Sequence, residues 1–126
     1  MTGASERDWT TAEAIAHGRE WLAVGWTWKR GQVAVTPDGQ LPVIVRVSVR
    51  GVPLACGLET AGGVPDMRDP GTRGHALAQV REAWGDEGMG TESDGMTWAI
   101  TDGNLDHVAE GDTESETLLA ALRAAL

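Results

Sequence analysis

Apolar residues recur along the chain with two periods, one typical of strands and one typical of helices. In VIVRVSVR, residues 43–50, valine occupies every second position, which is the pattern of a strand with one buried face. Residues 12–23 carry alanine, isoleucine and leucine at three- and four-residue spacings, and similar stripes at 70–84 and 114–126 predict two further helices. This order predicts an α+β fold, with an antiparallel sheet of four or five short strands and three helices packed on one side.

Capping signals mark where the helices begin and end. TTAE at 10–13 and TESE at 113–116 both have the Thr-x-x-Glu spacing of a capping box. Asp69-Pro70 predicts an N-cap followed by proline in the first helical position, with Thr72 as the alternative cap. Gly85 is expected to end that second helix.

The tryptophans are expected to build much of the core. With 126 residues the chain is long enough for one core, so we expect a single α+β domain over residues 1–126. The chain has six Trp and no Phe or Tyr, so tryptophan supplies every large aromatic ring. Trp84 on the second helix, and Met96 and Trp98 in MTWAIT, occupy positions predicted to point inward. The apolar face of the last helix is predicted to contain Leu118, Leu119, Leu122 and Leu126.

The segment GWTWKRG, residues 25–31, holds two tryptophans followed by two bases. If the segment is extended, Trp26 and Trp28 share one face. The simpler interpretation is that they belong to the buried face of the sheet. The alternative is an exposed pair that stacks on a base or sugar ring, with Lys29 and Arg30 placed to meet a phosphate. The sequence leaves both interpretations open.

Negative charge is concentrated in the second half of the chain. Residues 1–60 hold six acids and six bases, whereas residues 61–126 hold thirteen acids and four bases and carry the whole net charge of −9. This balance argues against direct binding to nucleic acid, which needs a basic face. The acids predict either a solvated surface or an acidic patch that meets a basic partner. The candidate patch consists of Glu92, Asp94, Asp102, Asp106, Glu110 and Asp112.

No motif predicts catalysis or a cofactor. The single Cys56 lies in an apolar run and has no partner for a disulfide or a metal pair. Residues 102–112 resemble a calcium loop but lack the Gly and Glu that an EF-hand requires. His107 and Glu110 can meet by their spacing, and a solvated polar surface explains that pair. We therefore predict no catalytic residues, no metal and no cofactor, and the sequence leans against an enzyme.

No apolar run approaches the length of about 18 residues that a membrane-spanning helix needs. The N-terminal MTGASERDW lacks the basic and apolar regions of a secretion signal. The expected location is therefore the cytoplasm, without membrane attachment.

Three segments together carry a resemblance: GWTWKRG, PDMRDPGTRGHALAQVREAWGD and TESETLLAALRAAL. They resemble small proteins encoded by phages and prophages of GC-rich bacteria, with a Gly-Trp-x-Trp element, an Asp-Pro-x-Thr helix that ends in Trp-Gly, and a closing Thr-Glu-x-Glu helix. The resemblance covers about half the chain and does not extend to the valine strand at 43–49. It implies a phage or mobile-element origin, and it brings no activity and no site residues.

These features predict a non-enzymatic phage or prophage accessory protein that acts by contact with another protein, with self-association left open. One alternative is an acidic mimic of nucleic acid that inhibits a host DNA-binding or defence protein. The other is a small ligand-binding or enzymatic domain that uses the face of Trp26 and Trp28.

Overall fold

The computed structural model describes residues 5–35, 43–44, 46–47, 53–55, 58–59 and 63–126. Within these residues the chain forms three α-helices, one short 3-10 helix at Glu6–Asp8 and nine short strands. The helices are α1 (Thr11–Ala23), α2 (Pro70–Trp84) and α3 (Glu114–Ala125). The strands are β1 (Val33–Val35), β2 (Val43–Ile44), β3 (Arg46–Val47), β4 (Pro53–Ala55), β5 (Leu58–Glu59), β6 (Val64–Pro65), β7 (Gly90–Ser93), β8 (Trp98–Thr101) and β9 (His107–Gly111). The predicted α+β class is confirmed.

All strand pairs in the described residues are antiparallel, as predicted, but they do not form one sheet. The strand orders are β2-β1-β6, β3-β4-β5 and β7-β8-β9, which makes three sheets of three strands. The valine-rich segment is divided between two of them, because β2 pairs with β1 whereas β3 pairs with β4. Alternating valines determine which side chains share a face and leave the choice of partner strand open. The predictions for Val45, Val49, Cys56 and the turn at 36–42 lie outside the described residues.

Backbone contacts divide the chain into two compact units, Trp9–His75 and the combination of Met1–Asp8 with Ala76–Leu126. Helix α2 contributes its first residues to one unit and the remainder to the other. The single domain expected from chain length stays a prediction.

In the first unit, α1 packs directly against β6. The capping box forms as predicted: the Glu13 amide donates to Thr10 Oγ1 at 3.1 Å, and the Thr10 amide donates to Glu13 Oε1 at 3.0 Å. Gly18 lies at the contact, where an added Cβ would stand 2.6 Å from the carbonyl oxygen of Pro65. A glycine inside this helix is therefore required by the close approach of the strand.

The start of α2 is tied to β1 through one threonine. The Thr72 amide and hydroxyl both donate to Asp69 Oδ2, at 2.8 and 2.9 Å, so Asp69 caps the helix as predicted. The Thr72 hydroxyl oxygen also accepts from the Val33 amide at 2.8 Å. Thr72 is fully buried, and its hydroxyl group satisfies a backbone donor of the strand.

In the second unit, α3 packs on one face of the β7-β8-β9 sheet. Its cap forms as predicted, because Thr113 Oγ1 accepts from the Glu116 amide at 3.2 Å. The Thr117 hydroxyl donates to the Trp98 carbonyl at 3.3 Å, and Ile100 is fully buried beneath the helix. The side chains of Leu118, Leu119 and Leu122 are buried as predicted.

Four residues predicted to point into the core are wholly or partly exposed. Leu126 is 77% exposed because it lies beyond the last turn of α3. Met96 is 64% exposed because it lies in the turn before β8. Trp84 is 39% exposed, although its indole N–H donates to the Ala121 carbonyl at 2.8 Å, and Trp98 is half-buried. Placing Leu126, Met96 and Trp84 inward from the period alone is wrong, whereas Trp98 lies on the same face of β8 as the buried Ile100.

None of the helices among the described residues has the length and apolarity that crossing a bilayer demands.

Candidate functional sites

Four tryptophans and one histidine form a chain of aromatic contacts in the unit Trp9–His75. The Trp9 ring meets the His17 imidazole edge-on with centroids 4.8 Å apart. The ring centroids of Trp21 and Trp26 are 5.5 Å apart, and those of Trp26 and Trp28 are 6.4 Å apart, and both pairs also meet edge-on. Such T-shaped pairs are the favoured arrangement of aromatic rings in cores. We call these five residues the tryptophan cluster.

His17 links the two halves of the tryptophan cluster. The Trp21 indole N–H donates to His17 Nε2 at 3.1 Å, and His17 Nδ1 lies 3.3 Å from Glu20 Oε2. A neutral imidazole in this arrangement carries its proton on Nδ1, because Nε2 must accept. His17 is buried, and no motif in the sequence predicts a role for it. The signal that could have found it is the four-residue spacing of His17 and Trp21, which puts both on one helix face.

The segment GWTWKRG is not a strand; residues 25–29 have no regular structure, and a turn follows at Arg30 and Gly31. Its shape is held by Gln32, which is fully buried: Oε1 accepts from the Lys29 amide at 3.0 Å, and Nε2 donates to the Thr27 carbonyl at 3.1 Å. This side chain replaces backbone partners that a strand would have supplied. No pattern in the sequence marks Gln32 for that role.

Trp26 and Trp28 do not form an exposed pair. Trp26 is only 9% exposed, whereas Trp28 is half-buried and Lys29 and Arg30 are exposed. The Trp26 indole N–H is buried and has no hydrogen-bond partner within the part of the chain that the structure describes. These placements favour the core interpretation for Trp26 over a stacking platform.

The β7-β8-β9 sheet presents the face opposite α3 to its surroundings, and we call this the open face. Glu92, Ala99 and Glu110 are paired across the three strands and therefore share that face in one row. Glu92 and Glu110 are exposed, and Ala99 between them is half-buried. A shallow hollow of about 320 Å³ is lined by Glu92, Ser93, Asp94, Thr97 and Ala99.

The other four acids of the predicted patch lie outside this row. Asp94 accepts from the amides of Thr97 and Met96, each at 2.8 Å, and these bonds hold the pKa of its carboxyl group below the ordinary 3.8. Asp102 Oδ1 accepts from the amides of Asn104 and Asp106 at 2.8 and 3.0 Å. Both carboxylates thus organise turns in the backbone.

Asp86, which was not among the predicted patch residues, joins two loops in the same way. Its carboxylate accepts from the amides of Gly103 and Gly88, each at 2.8 Å, and these bonds lower the pKa of the Asp86 carboxyl group. Asp106 and Asp112 are exposed. His107 Nε2 lies 3.8 Å from Glu110 Oε2, and both side chains are more than half exposed, so this pair meets as its spacing predicts.

Strand β7 is an edge of its sheet within the described residues. A two-residue turn joins it to β8, with Gly95 at a φ of 93° and a bond from the Asp94 amide to the Thr97 carbonyl at 3.2 Å. Glycine with positive φ at the first central position is typical of the hairpin turns that preserve strand twist. The edge strand therefore ends in a hydrogen-bonded turn.

Among the described residues, no group of three or more His, Cys, Asp or Glu side chains has the geometry of a metal site. Comparison with protein-family models, with curated proteins and with solved structures found no match for this chain.

Proposed function

We propose that this chain is a phage- or prophage-encoded accessory protein without enzymatic activity, which acts by contacting another protein through the β7-β8-β9 sheet. The observation that supports the proposal is the arrangement of that sheet: α3 covers one face, Glu92 and Glu110 are exposed on the open face, and β7 is an edge strand within the described residues. Edges of this kind are the parts of a sheet that pair most readily with another chain.

Photo-cross-linking tests the location of the contact. Met96, 64% exposed beside β7, is replaced by benzoylphenylalanine, and the matched control carries the same group at Leu22, 37% exposed on α1. After irradiation in a nuclease-treated lysate of the source cells, a discrete protein adduct is expected from the Met96 variant alone. Adducts from neither variant, or the same adducts from both, contradict the proposal.

A second candidate is an acidic mimic of nucleic acid that occupies a basic groove. It is supported by the row that places Glu92 and Glu110 on the open face, and by the absence of Lys and Arg between Arg81 and Arg123. A mimic binds through the summed field of the face. Glu92→Gln and Glu110→Gln should therefore weaken binding to a similar extent. The measurement is the affinity of each variant, in low salt, for the protein that the Met96 variant cross-links.

The third candidate, a ligand-binding or enzymatic domain that uses Trp26 and Trp28, has less support. Burial of Trp26 leaves the half-buried Trp28 as the accessible ring of that pair.

A further inference from the structure

The backbone groups of β7 that face away from β8 belong to two residues. The Asp94 amide donates to the Thr97 carbonyl, so Asp94 and Thr97 are the first hydrogen-bonded pair of the β7-β8 hairpin. In an antiparallel ladder, bonded and non-bonded pairs alternate. Given the register, Glu92↔Ala99 is a bonded pair, whereas Ser93↔Trp98 and Thr91↔Ile100 are not. The N–H and C=O groups of Thr91 and Ser93 therefore point outward, and no hydrogen bond among the described residues occupies them.

The side chains beside these groups are negatively charged. Glu92 is exposed on the open face, and the Asp94 carboxylate, which accepts from two backbone amides, follows two residues later. On the opposite face, the Thr91 hydroxyl bonds Glu114 Oε2 at 2.5 Å, so a third carboxylate lies next to the same edge. Residues 82 to 122 contain no Lys or Arg.

A second copy of this chain fits the edge poorly. Pairing of two β7 strands would bring the acidic edge of one copy against the acidic edge of the other, and like charges across a strand pair are destabilising. A positively charged segment of a partner is attracted to the same carboxylates.

We propose that the β7 edge binds an extended basic segment of another protein as a fourth strand of the sheet. This inference rests on the proposed function, because it specifies the chemistry of the same contact. The added strand bonds to the backbone of Thr91 and Ser93, which places its next side chain opposite Glu92 in a non-bonded pair, where side chains approach most closely. The segment therefore carries Lys or Arg at alternate positions, opposite Glu92 and Asp94.

Three synthetic peptides test this arrangement. The probe is acetyl-Thr-Val-Lys-Val-Lys-Val-Thr-amide with a fluorescent label, titrated against the full chain by anisotropy. One variant is N-methylated at the valines, whose amides would bond to β7, and the control is N-methylated at the lysines, whose amides would point away. Loss of binding on valine methylation, with lysine methylation tolerated, is the expected result, because strand addition depends on main-chain bonds.

Two charge reversals in the protein provide the matched comparison. Glu92→Lys should weaken binding of the probe by about three- to thirty-fold, because an attractive cross-strand pair becomes a repulsive one. Glu110 shares the open face but lies on β9, so an added strand is about 14 Å away, beyond the screening length of roughly 8 to 10 Å. Glu110→Lys should therefore change the affinity by about twofold or less.

Several results would overturn this inference. Equal losses in the two variants would assign binding to the general field of the face, as the mimic candidate requires. Equal tolerance of both methylations, or no binding of the probe at all, would exclude strand addition by a basic segment. Concentration-dependent amide shifts of Thr91 and Ser93 in the protein alone would assign the edge to a second copy. A specific adduct from the Met96 variant would in each of these cases leave the broader proposal of a protein contact standing.

Discussion

At the scale of single residues, the tryptophan cluster shows how a core without Phe or Tyr is assembled. Rings of this size bring a polar N–H with them, and the cluster satisfies one such group by placing His17 four residues before Trp21. The indole N–H of Trp26 remains without a partner in the same cluster. Burial of an unpaired donor carries a cost, and it is offset by the apolar area of the ring.

Replacing Trp26 or Trp28 by alanine tests whether these residues belong to the core or form a platform that stacks on a ligand. Trp26→Ala should lower the free energy of unfolding by about 3 to 5 kcal/mol, because the ring is buried between Trp21 and Trp28. Trp28→Ala should cost distinctly less, because that ring is half-buried. Urea denaturation of the two variants measures the difference. A Trp26→Ala variant as stable as the wild type would restore the platform interpretation.

At the scale of elements, capping boxes and helix periods were predictable because they depend on residues three and four positions apart. Strand partners were not, since β2 and β3 belong to one alternating segment and join different sheets. Gly18 lies inside α1, and the reason for a glycine there is a neighbouring strand that no local pattern reveals. Gln32 is a comparable case, because its partners are backbone groups of an irregular segment.

Gly18 and Gly74 offer a matched test of that close approach. Gly→Ala inside a helix normally stabilises by about 0.5 to 1 kcal/mol. Gly74→Ala on α2 should show this gain, because an added Cβ meets nothing within 4 Å. Gly18→Ala should instead be destabilising, because its Cβ would stand 2.6 Å from the Pro65 carbonyl oxygen. Thermal unfolding measures the change in stability of each variant relative to the wild type. A stabilised Gly18→Ala variant would show that β6 moves away from α1 at little cost in free energy.

At the scale of the whole molecule, the acids of the second unit have two uses. Asp86 and Asp94 bind backbone amides of loops and turns, whereas Glu92 and Glu110 remain exposed on the open face. Counting charges along the sequence could not make this distinction, because it depends on which amides each carboxylate reaches after folding. The patch predicted from charge alone gave one role to carboxylates that make different contacts, and its role in binding a partner stays a prediction.

Acid pH should weaken the second unit through those two carboxylates. Because the pKa values of Asp86 and Asp94 are lowered on folding, their contribution is present above the ordinary value of 3.8 and is lost as the pH falls through the folded values. Wild-type stability should therefore fall more steeply below about pH 4 than that of the double variant Asp86→Asn, Asp94→Asn, whose side chains do not titrate there. Parallel acid profiles for the two proteins would contradict this assignment.

The sequence by itself determined the α+β class, the three helices with their caps, the antiparallel pairing and the acidic character of the second half. These properties follow from spacings of a few residues and from composition. The tertiary structure alone decided the division into three sheets, the burial of Trp26 and His17, and the outward backbone groups of Thr91 and Ser93. The division into three sheets depends on which strands pair, and an alternating pattern carries no information about the partner. The burial of Trp26 and His17 depends on how the rings of Trp9, Trp21 and Trp28 pack around them. The outward groups of Thr91 and Ser93 depend on the register that the two-residue turn gives the β7-β8 hairpin.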